Sequence, residues 1–408
     1  MSLPYFEQWG WQAHVLAVHP DFVQGVQDPL LCKTIPSQIP VTYTKAVPLQ
    51  YTRRIGMESL GLRCLPFLLQ AGDRLLRQQS FDLVYFSTAI FPVMSLGSRW
   101  LKRFGVPYVL DFQDLWLKDY YSQTKILPPG GHFKYGFAQL QAKFLEPQAV
   151  CKATHVISVS PAYVQTFRDR YPQVSPEQYT VLPFGAPETD FKLLSSLGLQ
   201  QQIFDPQDGS RHWVYVGRGG QDMALALQSL FLAIQSDRRD YPERWQAVRL
   251  HFVGTSYAPG DRAVKTVEPI AQALGVADLV TEYPHRLPYF EALQILTESD
   301  AILLIGSSDP RYTASKLYSC VLARKPILAI FHTQSSVVNI LHRCQAGQVV
   351  TFTDTTQPTD LQARIATQLD WLLSCSREFQ PETNWSAFQP YTAWEMTRQQ
   401  CQIFNQCL

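Results

Sequence analysis

Three small groups of residues in this chain have the types and spacing to do chemistry. Ser315 and Lys316 follow a polar loop, 307–314, which itself follows the apolar run 301–305. A hydroxyl, a cation and the amides of a helix start would converge there, a combination that suits a phosphate. An N-capping serine beside a solvated lysine is the plain structural alternative. Arg218, Gly219 and Gly220 close a second strand-like run, 212–217. Those glycines let the backbone approach a ligand closely, and the planar guanidinium can grip phosphate oxygens; a tight turn with an exposed arginine needs the same residues. In PYVLDFQDLW (107–116), Asp111 and Asp114 lie just past a strand end. Two carboxylates so placed could orient a hydroxyl or take its proton, or each could cap the turn that follows.

These groups need elements to hold them. The run 301–305, bounded by Asp300 and Gly306, reads as a buried parallel strand. A helical pattern over 315–324 places Leu317, Val321 and Leu322 on its core side and stops before Pro326, where the run 326–331 supplies another strand. In such β-α-β units ligands bind outside the carboxyl ends of the strands. The alternation is general. Strand-like runs at 14–18, 41–45, 83–86, 108–112, 155–159 and 179–184 enclose helical patterns at about 58–79, 92–104, 133–151 and 161–171. A second series at 212–217, 248–253, 279–283, 301–305, 326–331 and 348–352 encloses helices at about 222–236, 262–274, 288–298, 315–324, 334–343 and 359–375. Between the two series periodicity fades and Pro, Gly, Asp and Ser gather. The expected architecture is α/β, with two Rossmann-like doubly wound parallel-sheet domains facing a cleft. Residues 1–188 form the first domain, 189–211 the linker and 212–389 the second. Phe133, Phe137, Leu140 and Phe144 share one helical face with Lys134 and Lys143 nearby. That face is expected to point into the core, with an anionic membrane surface as the alternative.

Composition narrows the function classes. A chain of 408 residues, 46% hydrophobic and 17% charged, has material for two soluble globular domains. A net charge of +1 argues against nucleic acid as a bulk partner. The eight cysteines make no C-x-x-C and the nine histidines no H-x-x-x-H, so no metal site and no bound cofactor is expected. The longest apolar stretch, 83–96, is interrupted by Ser87, Thr88, Pro92 and Ser95. The expected location is cytoplasmic, with peripheral contact at the inner face of the membrane left open.

SKLYSCVLARKPILA (315–329) resembles the donor-binding helix of glycosyltransferase family 4 (group 1) and its GT-B relatives. VYVGRGGQDM (214–223), LHFVGTSY (250–257), HVISVSPAYVQTF (155–167) and VLPFGAPETDF (181–191) follow that family's motifs in order along nearly the whole chain. The resemblance implies a glycosyltransferase that moves a sugar from a nucleotide-diphosphate donor to a hydroxyl acceptor on a glycan, polysaccharide or lipid-linked molecule. Retention of anomeric configuration and independence from metal are implied with it. Arg218, Gly219, Gly220, Ser315 and Lys316 would then bind the donor phosphates, and Pro284, His285, Arg286 and Leu287 the nucleotide. Asp309, with Arg311 in the same loop, would meet the donor sugar, while Asp111 and Asp114 would serve the acceptor beside Trp116. A last helix, 390–408, would cross back to complete the first domain. Three positions depart from the pattern: Ser319 replaces a glutamate, Gln113 replaces a histidine common in the family, and no lysine follows Arg218. A non-catalytic binding or scaffold protein and a sugar-nucleotide epimerase of the same superfold are the rival readings.

The start of the chain is unusual. A Rossmann-like domain opens with a strand and a glycine-rich turn, whereas MSLPYFEQWG has helical spacing and closes at Gly10 before the strand 14–18. The domain's first strand is therefore expected to be missing. An apolar strand and a Gly- or Pro-containing turn, roughly 20–30 residues, are expected upstream of Met1.

Overall fold

A computed structural model describes residues 1–23, 27–53, 58–117, 131–258 and 262–408; the side chain of Lys134 lies outside the described part. The chain forms two compact units. The first comprises Met1–Gln27, Lys33–Phe184 and Trp394–Leu408, the second Asp28–Cys32 and Gly185–Ala393.

In the first unit β1 (Val15–Val18) pairs in parallel with β2 (Val41–Thr44), and these two strands stand apart as their own sheet. Strands β3 (Val84–Ser87), β4 (Tyr108–Phe112), β5 (His155–Ser158) and β6 (Tyr179–Val181) form a parallel sheet in sequence order. The strands of this unit thus fall into two sheets, with no described strand joining β1 to β3. Burial follows that division. Every residue of β4 and β5 is buried, as a parallel sheet requires, whereas β1 and most of β3 stay partly exposed.

Helix α1 (Leu60–Gln78) buries Cys64, Leu68 and Ala71, a spacing that keeps one face on the core, and α2 (Ser95–Phe104) ends at Gly105 in the left-handed region. Helix α3 (Gly131–Val150) buries Ala142, Glu146, Ala149 and Val150. That choice corrects the sequence expectation. Phe133 (91% exposed), Phe137, Leu140 and Phe144 lie on the opposite face of the helix and stand out in solvent. Helix α4 (Pro161–Arg170) follows β5. The C-terminal helix, Ala393–Gln406, packs Met396, Cys401, Ile403 and Phe404 against Phe6, Val109, Ile157 and Leu182.

In the second unit, α5 (Glu188–Leu197) is a regular helix within a stretch expected to be linker. Glu188 and Asp190 sit in its first turn and Gly198 stops it at φ 59°, so ordinary cap chemistry outweighs the weak periodicity. The sheet holds β7 (Arg211–Val216), β8 (Val248–Val253), β9 (Val280–Tyr283), β10 (Ala301–Ile305), β11 (Ile327–His332) and β12 (Gln348–Phe352). All neighbours are parallel and the spatial order is β12-β11-β10-β7-β8-β9. Helices α6 (Ala224–Asp240), α7 (Glu268–Ala273), α8 (Tyr289–Glu298), α9 (Leu317–Leu322), α10 (Ser336–Cys344) and α11 (Pro358–Ser374) make the crossovers.

The chain runs outward in one direction from β7 and in the other from β10, so the winding reverses between these two strands. Their pairing covers only Ala301 with Trp213 and Ile302 with Val214, and no bridge joins them further along. Such a reversal is where open α/β sheets form a crevice at their carboxyl ends.

Candidate functional site

The crevice of the second unit is built from the turn after β7 and the loop after β10. Gly217 closes β7, its amide donating to Val253 O at 2.8 Å. A Cβ there would lie 1.6 Å from Lys316 Nζ, so the lysine reaches back from beyond β10 into space that only glycine leaves open. The Lys316 ammonium is buried, lies 5.0 Å from the centre of the Tyr215 ring, and has no hydrogen-bond partner among the described residues. Burial, with smaller contributions from the charges of Arg286 and Arg218, pulls its pKa down to about 7.

Arg218 points elsewhere. Its guanidinium grips the Asp222 carboxylate with two hydrogen bonds, at 2.9 and 2.6 Å, and lies over the Tyr312 ring. Burial works to raise the Asp222 pKa, but the Arg218 bonds and charge and the Ser307 hydroxyl outweigh it and hold the carboxylate below its usual range. Ser307 Oγ donates to Asp222 Oδ2 at 2.6 Å and Ser308 N to Asp222 O at 2.7 Å, which tie the two loops together. The expected pair of phosphate-binding cations therefore differs in kind: Arg218 is already paired, and Lys316 has no partner among the described residues.

Gly219 donates to Thr255 O at 2.7 Å, and a Cβ on it would meet Thr266 Oγ1 at 2.2 Å. Gly220 lies between Arg218 and the short turn that precedes α6. Ser315 is exposed beside Lys316. The expected helix 315–324 is shorter than its sequence pattern. Leu317 N donates to Ala314 O in a turn, α9 spans only Leu317–Leu322, and Arg324 turns left-handed at φ 56° before Pro326. Lys316 is the N-cap residue, so the fan of free amides expected around Ser315 is reduced by that turn.

Residues 284–287 line the neighbouring edge. Ser256 N donates to Pro284 O at 2.9 Å, and Arg286 passes Gly254, whose φ of 72° opens the turn. The Arg286 guanidinium covers the Tyr257 ring at 4.1 Å, while His285 is exposed and Leu287 half-buried. Asp309 is engaged by its own loop, accepting from Arg311 N at 3.0 Å and Arg311 Nε at 3.2 Å.

A buried carboxylate missed in the sequence holds this floor. Glu282 accepts from the amides of Thr266, Val267 and Glu268 and from the Thr255 hydroxyl. It fixes the loop whose Thr255 and Thr266 pack on Gly219. A lone glutamate in a strand carries no spacing signal. Asp222, four residues after Arg218, did carry the spacing of an ion pair.

The first unit has its own cluster at the carboxyl ends of β3 and β4. Asp111 Oδ2 accepts from Tyr85 OH at 2.7 Å and from Ser87 Oγ and Gln113 Nε2 at 3.3 Å each. Burial raises its pKa, and these three donors pull it part of the way back. Asp114 is half-buried and accepts from Leu115 N at 2.8 Å, as a turn-forming aspartate does. Trp116, expected near the acceptor, is instead core: its ring is buried and stacks on Phe91 at 5.8 Å. Glu146, fully buried, accepts from Leu117 N and Tyr171 OH and pairs with Arg170, another anchor with no sequence signal.

Two parallel doubly wound units, one with a reversal crevice holding a buried cation and the other with a carboxylate cluster at its strand ends, give the chain the GT-B fold. Residues 5–185 match the model of the family described as "Glycosyl transferase 4-like domain". Among solved structures, the chain is similar to Alr3699/HepE of Anabaena in complex with UDP and glucose. Identity there is 17%, with 99% of this chain and 93% of that one covered, and the TM-score is 0.60. A glycosyltransferase from Rickettsia africae ESF-5 matches at 13% identity over 97% of this chain and 98% of that one, TM-score 0.57. A UDP-forming α,α-trehalose-phosphate synthase from Burkholderia xenovorans matches at 13% identity, covering 91% and 89%, TM-score 0.56. No curated protein matches the sequence. No helix among the described residues is long and apolar enough to cross a membrane.

Proposed function

We propose that this protein transfers a glycosyl group from a nucleotide-diphosphate sugar to a hydroxyl acceptor, with retention of anomeric configuration and without a metal ion. Residues 212–389 are the donor side and 1–188, with 390–408, the acceptor side. The observation that supports this reading is Lys316: a buried ammonium without a hydrogen-bond partner among the described residues, aimed at a glycine turn in a sheet-reversal crevice. A diphosphate oxygen supplies the partner it lacks. As the bond between the anomeric carbon and the diphosphate breaks, negative charge grows on the leaving oxygen, and an ammonium held in low dielectric stabilises it. The acceptor oxygen bonds to the anomeric carbon and its proton passes to a phosphate oxygen or a carboxylate. Asp111 and Asp114 are the carboxylates assigned to orient that hydroxyl. His285, Arg286 and the backbone of 284–287 flank the nucleotide, and Asp309 and Arg311 are nearest in sequence to where the sugar would sit. The complex of Alr3699/HepE makes UDP the first nucleotide to test.

The test is calorimetry with UDP, GDP and ADP on wild type and Lys316→Ala. Lys316→Ala should weaken binding of the preferred nucleotide by about 1.5–3 kcal/mol, the worth of a charged hydrogen bond. No binding by any of the three, or equal binding by the variant, overturns the assignment. Transfer in the presence of EDTA and the product's anomeric configuration by NMR test the finer claims.

Two observations support narrower readings. The Arg218–Asp222 pair removes one expected phosphate cation, which favours a protein that binds a nucleotide sugar without turning it over; nucleotide affinity without transfer to any acceptor would establish that. The exposed stripe Phe133, Phe137, Leu140 and Phe144 favours an acceptor presented at a lipid surface, read by co-sedimentation with anionic vesicles.

A further inference from the structure

We propose that Tyr85 is the positioning residue of the acceptor carboxylate: backed by Gln400, its hydroxyl holds Asp111 Oδ2 so that Oδ1 alone meets the acceptor hydroxyl. The inference rests on the transferase reading above and adds which oxygen works and what aims it. Three donors converge on one atom. Tyr85 OH reaches Asp111 Oδ2 at 2.7 Å, and Ser87 Oγ and Gln113 Nε2 reach the same oxygen at 3.3 Å each. No described residue donates to Oδ1, and that atom is not enclosed, so it faces solvent. A carboxylate loaded on one side cannot rotate without breaking its shortest bond, and the lone pairs it still offers are those of Oδ1. Gln113 belongs to this cage, since its amide also reaches Ser87 Oγ at 3.3 Å. The position therefore has a task that needs a donor and no base.

The support continues one layer deeper. Gln400, on the C-terminal helix and 1% exposed, hydrogen-bonds the Tyr85 oxygen. Its Nε2 is the donor, because its Oε1 has no partner among the described residues. An orphaned amide oxygen in a core costs stability, and a leucine of similar size would avoid that cost. What the amide supplies is polarisation: a donor on the phenol oxygen strengthens the bond that the phenol makes to Asp111. The Phe404 ring, 5.1 Å from that of Tyr85, packs against it from the same helix.

The carboxyl's ionisation reports on the cage. Burial raises the Asp111 pKa and its three donors lower it, so loss of a donor lets it keep its proton to higher pH. The neighbouring titratable groups are otherwise engaged. The Tyr85 hydroxyl is held protonated by burial and by the charge of Asp111. His155 of β5 meets Thr180 Oγ1 at 2.8 Å and is kept neutral by burial, and burial pushes the Cys401 thiol up to about 12. Glu395 and Arg398 of the C-terminal helix pair with each other, and Asp114 accepts from Leu115 N.

The experiment compares the full wild-type chain with Tyr85→Phe, Gln400→Leu and Ser87→Ala. Carbon-13 NMR of the aspartate carboxyls follows Asp111 directly, assigned by its loss in Asp111→Asn. Release of UDP, GDP or ADP from the matching glucose nucleotide, with water as the hydroxyl, gives the rate. Tyr85→Phe keeps the ring and should move the Asp111 titration up by about one pH unit. The acid limb of kcat should move with it, about a tenfold loss at low pH, while KM for the nucleotide sugar stays unchanged. Gln400→Leu and the exposed Ser87→Ala should shift both in the same direction by less, so the outcome does not depend on one variant folding. An Asp111 titration that ignores all three variants overturns the proposal, as does one that shifts while the acid limb stays fixed. No release of any nucleotide by wild type would instead remove the transferase reading, and this role with it.

Discussion

If Lys316 is the cation that meets the diphosphate, nucleotide binding must draw a proton from solution. With a pKa of about 7, the buried lysine is mostly neutral at pH 8. An ordinary lysine is charged up to a pKa near 10.4, and a bound diphosphate returns Lys316 to that range. Uptake on binding should then be about 0.9 proton at pH 8 and about 0.5 at pH 7, and affinity should fall about tenfold per pH unit above 7. The same shift acts on stability with a fixed sign. The folded pKa is depressed, so the unfolded chain binds more protons between about 7 and 10.5, and stability rises with pH through that window. The penalty is largest below pH 7, on the order of 4–5 kcal/mol, and Lys316→Met should recover much of it as a raised Tm at pH 7. Calorimetry at pH 8 in buffers of different ionisation enthalpy measures the uptake directly, above the second phosphate ionisation near 6. Uptake near zero at pH 8, with Lys316→Met no more stable than wild type, would refute the reasoning.

Gly217→Ala puts a methyl group 1.6 Å from Lys316 Nζ and 2.8 Å from the Tyr215 hydroxyl; it should displace the ammonium and weaken nucleotide binding at least tenfold by calorimetry. Glu282→Gln removes the charge that three amides share and should lower stability by about 2–4 kcal/mol in denaturant melts. Asp114→Asn should depress turnover while leaving donor affinity near wild type; a parallel loss of fold, read by circular dichroism, would mark it as a turn former alone.

The sequence was most legible where apolar runs and breakers coincide. Ala301–Ile305 between Asp300 and Gly306 reads as a buried strand and is one, and the loop after it led directly to Lys316. Where the outcome depends on neighbours distant in the chain, the pattern was mute. The spacing of Phe133, Phe137, Leu140 and Phe144 announces a helical face, but Ala142 and Ala149, whose small side chains allow close packing, mark the face that turned inward. The Arg218 guanidinium was legible as a phosphate ligand and equally as the partner of Asp222; the position of Ser307, from another loop, accompanies the second choice. Buried Glu282 and Glu146 are satisfied by amides of remote loops, and nothing in their own surroundings advertises it. Weak periodicity concealed α5, whose end signals were nonetheless present.

The two-residue pairing of β7 with β10 has a mechanical consequence. The second unit's sheet amounts to two three-stranded leaves sewn by a seam, and packing across the shared apolar core keeps the leaves in register. A molecule that touches Gly217 on one leaf and Lys316 on the other acts as a clasp. Its affinity is then also a measure of how tightly the leaves are held together. Occupancy should slow amide exchange on both sides of the seam at once and sharpen the unit's unfolding into a single transition.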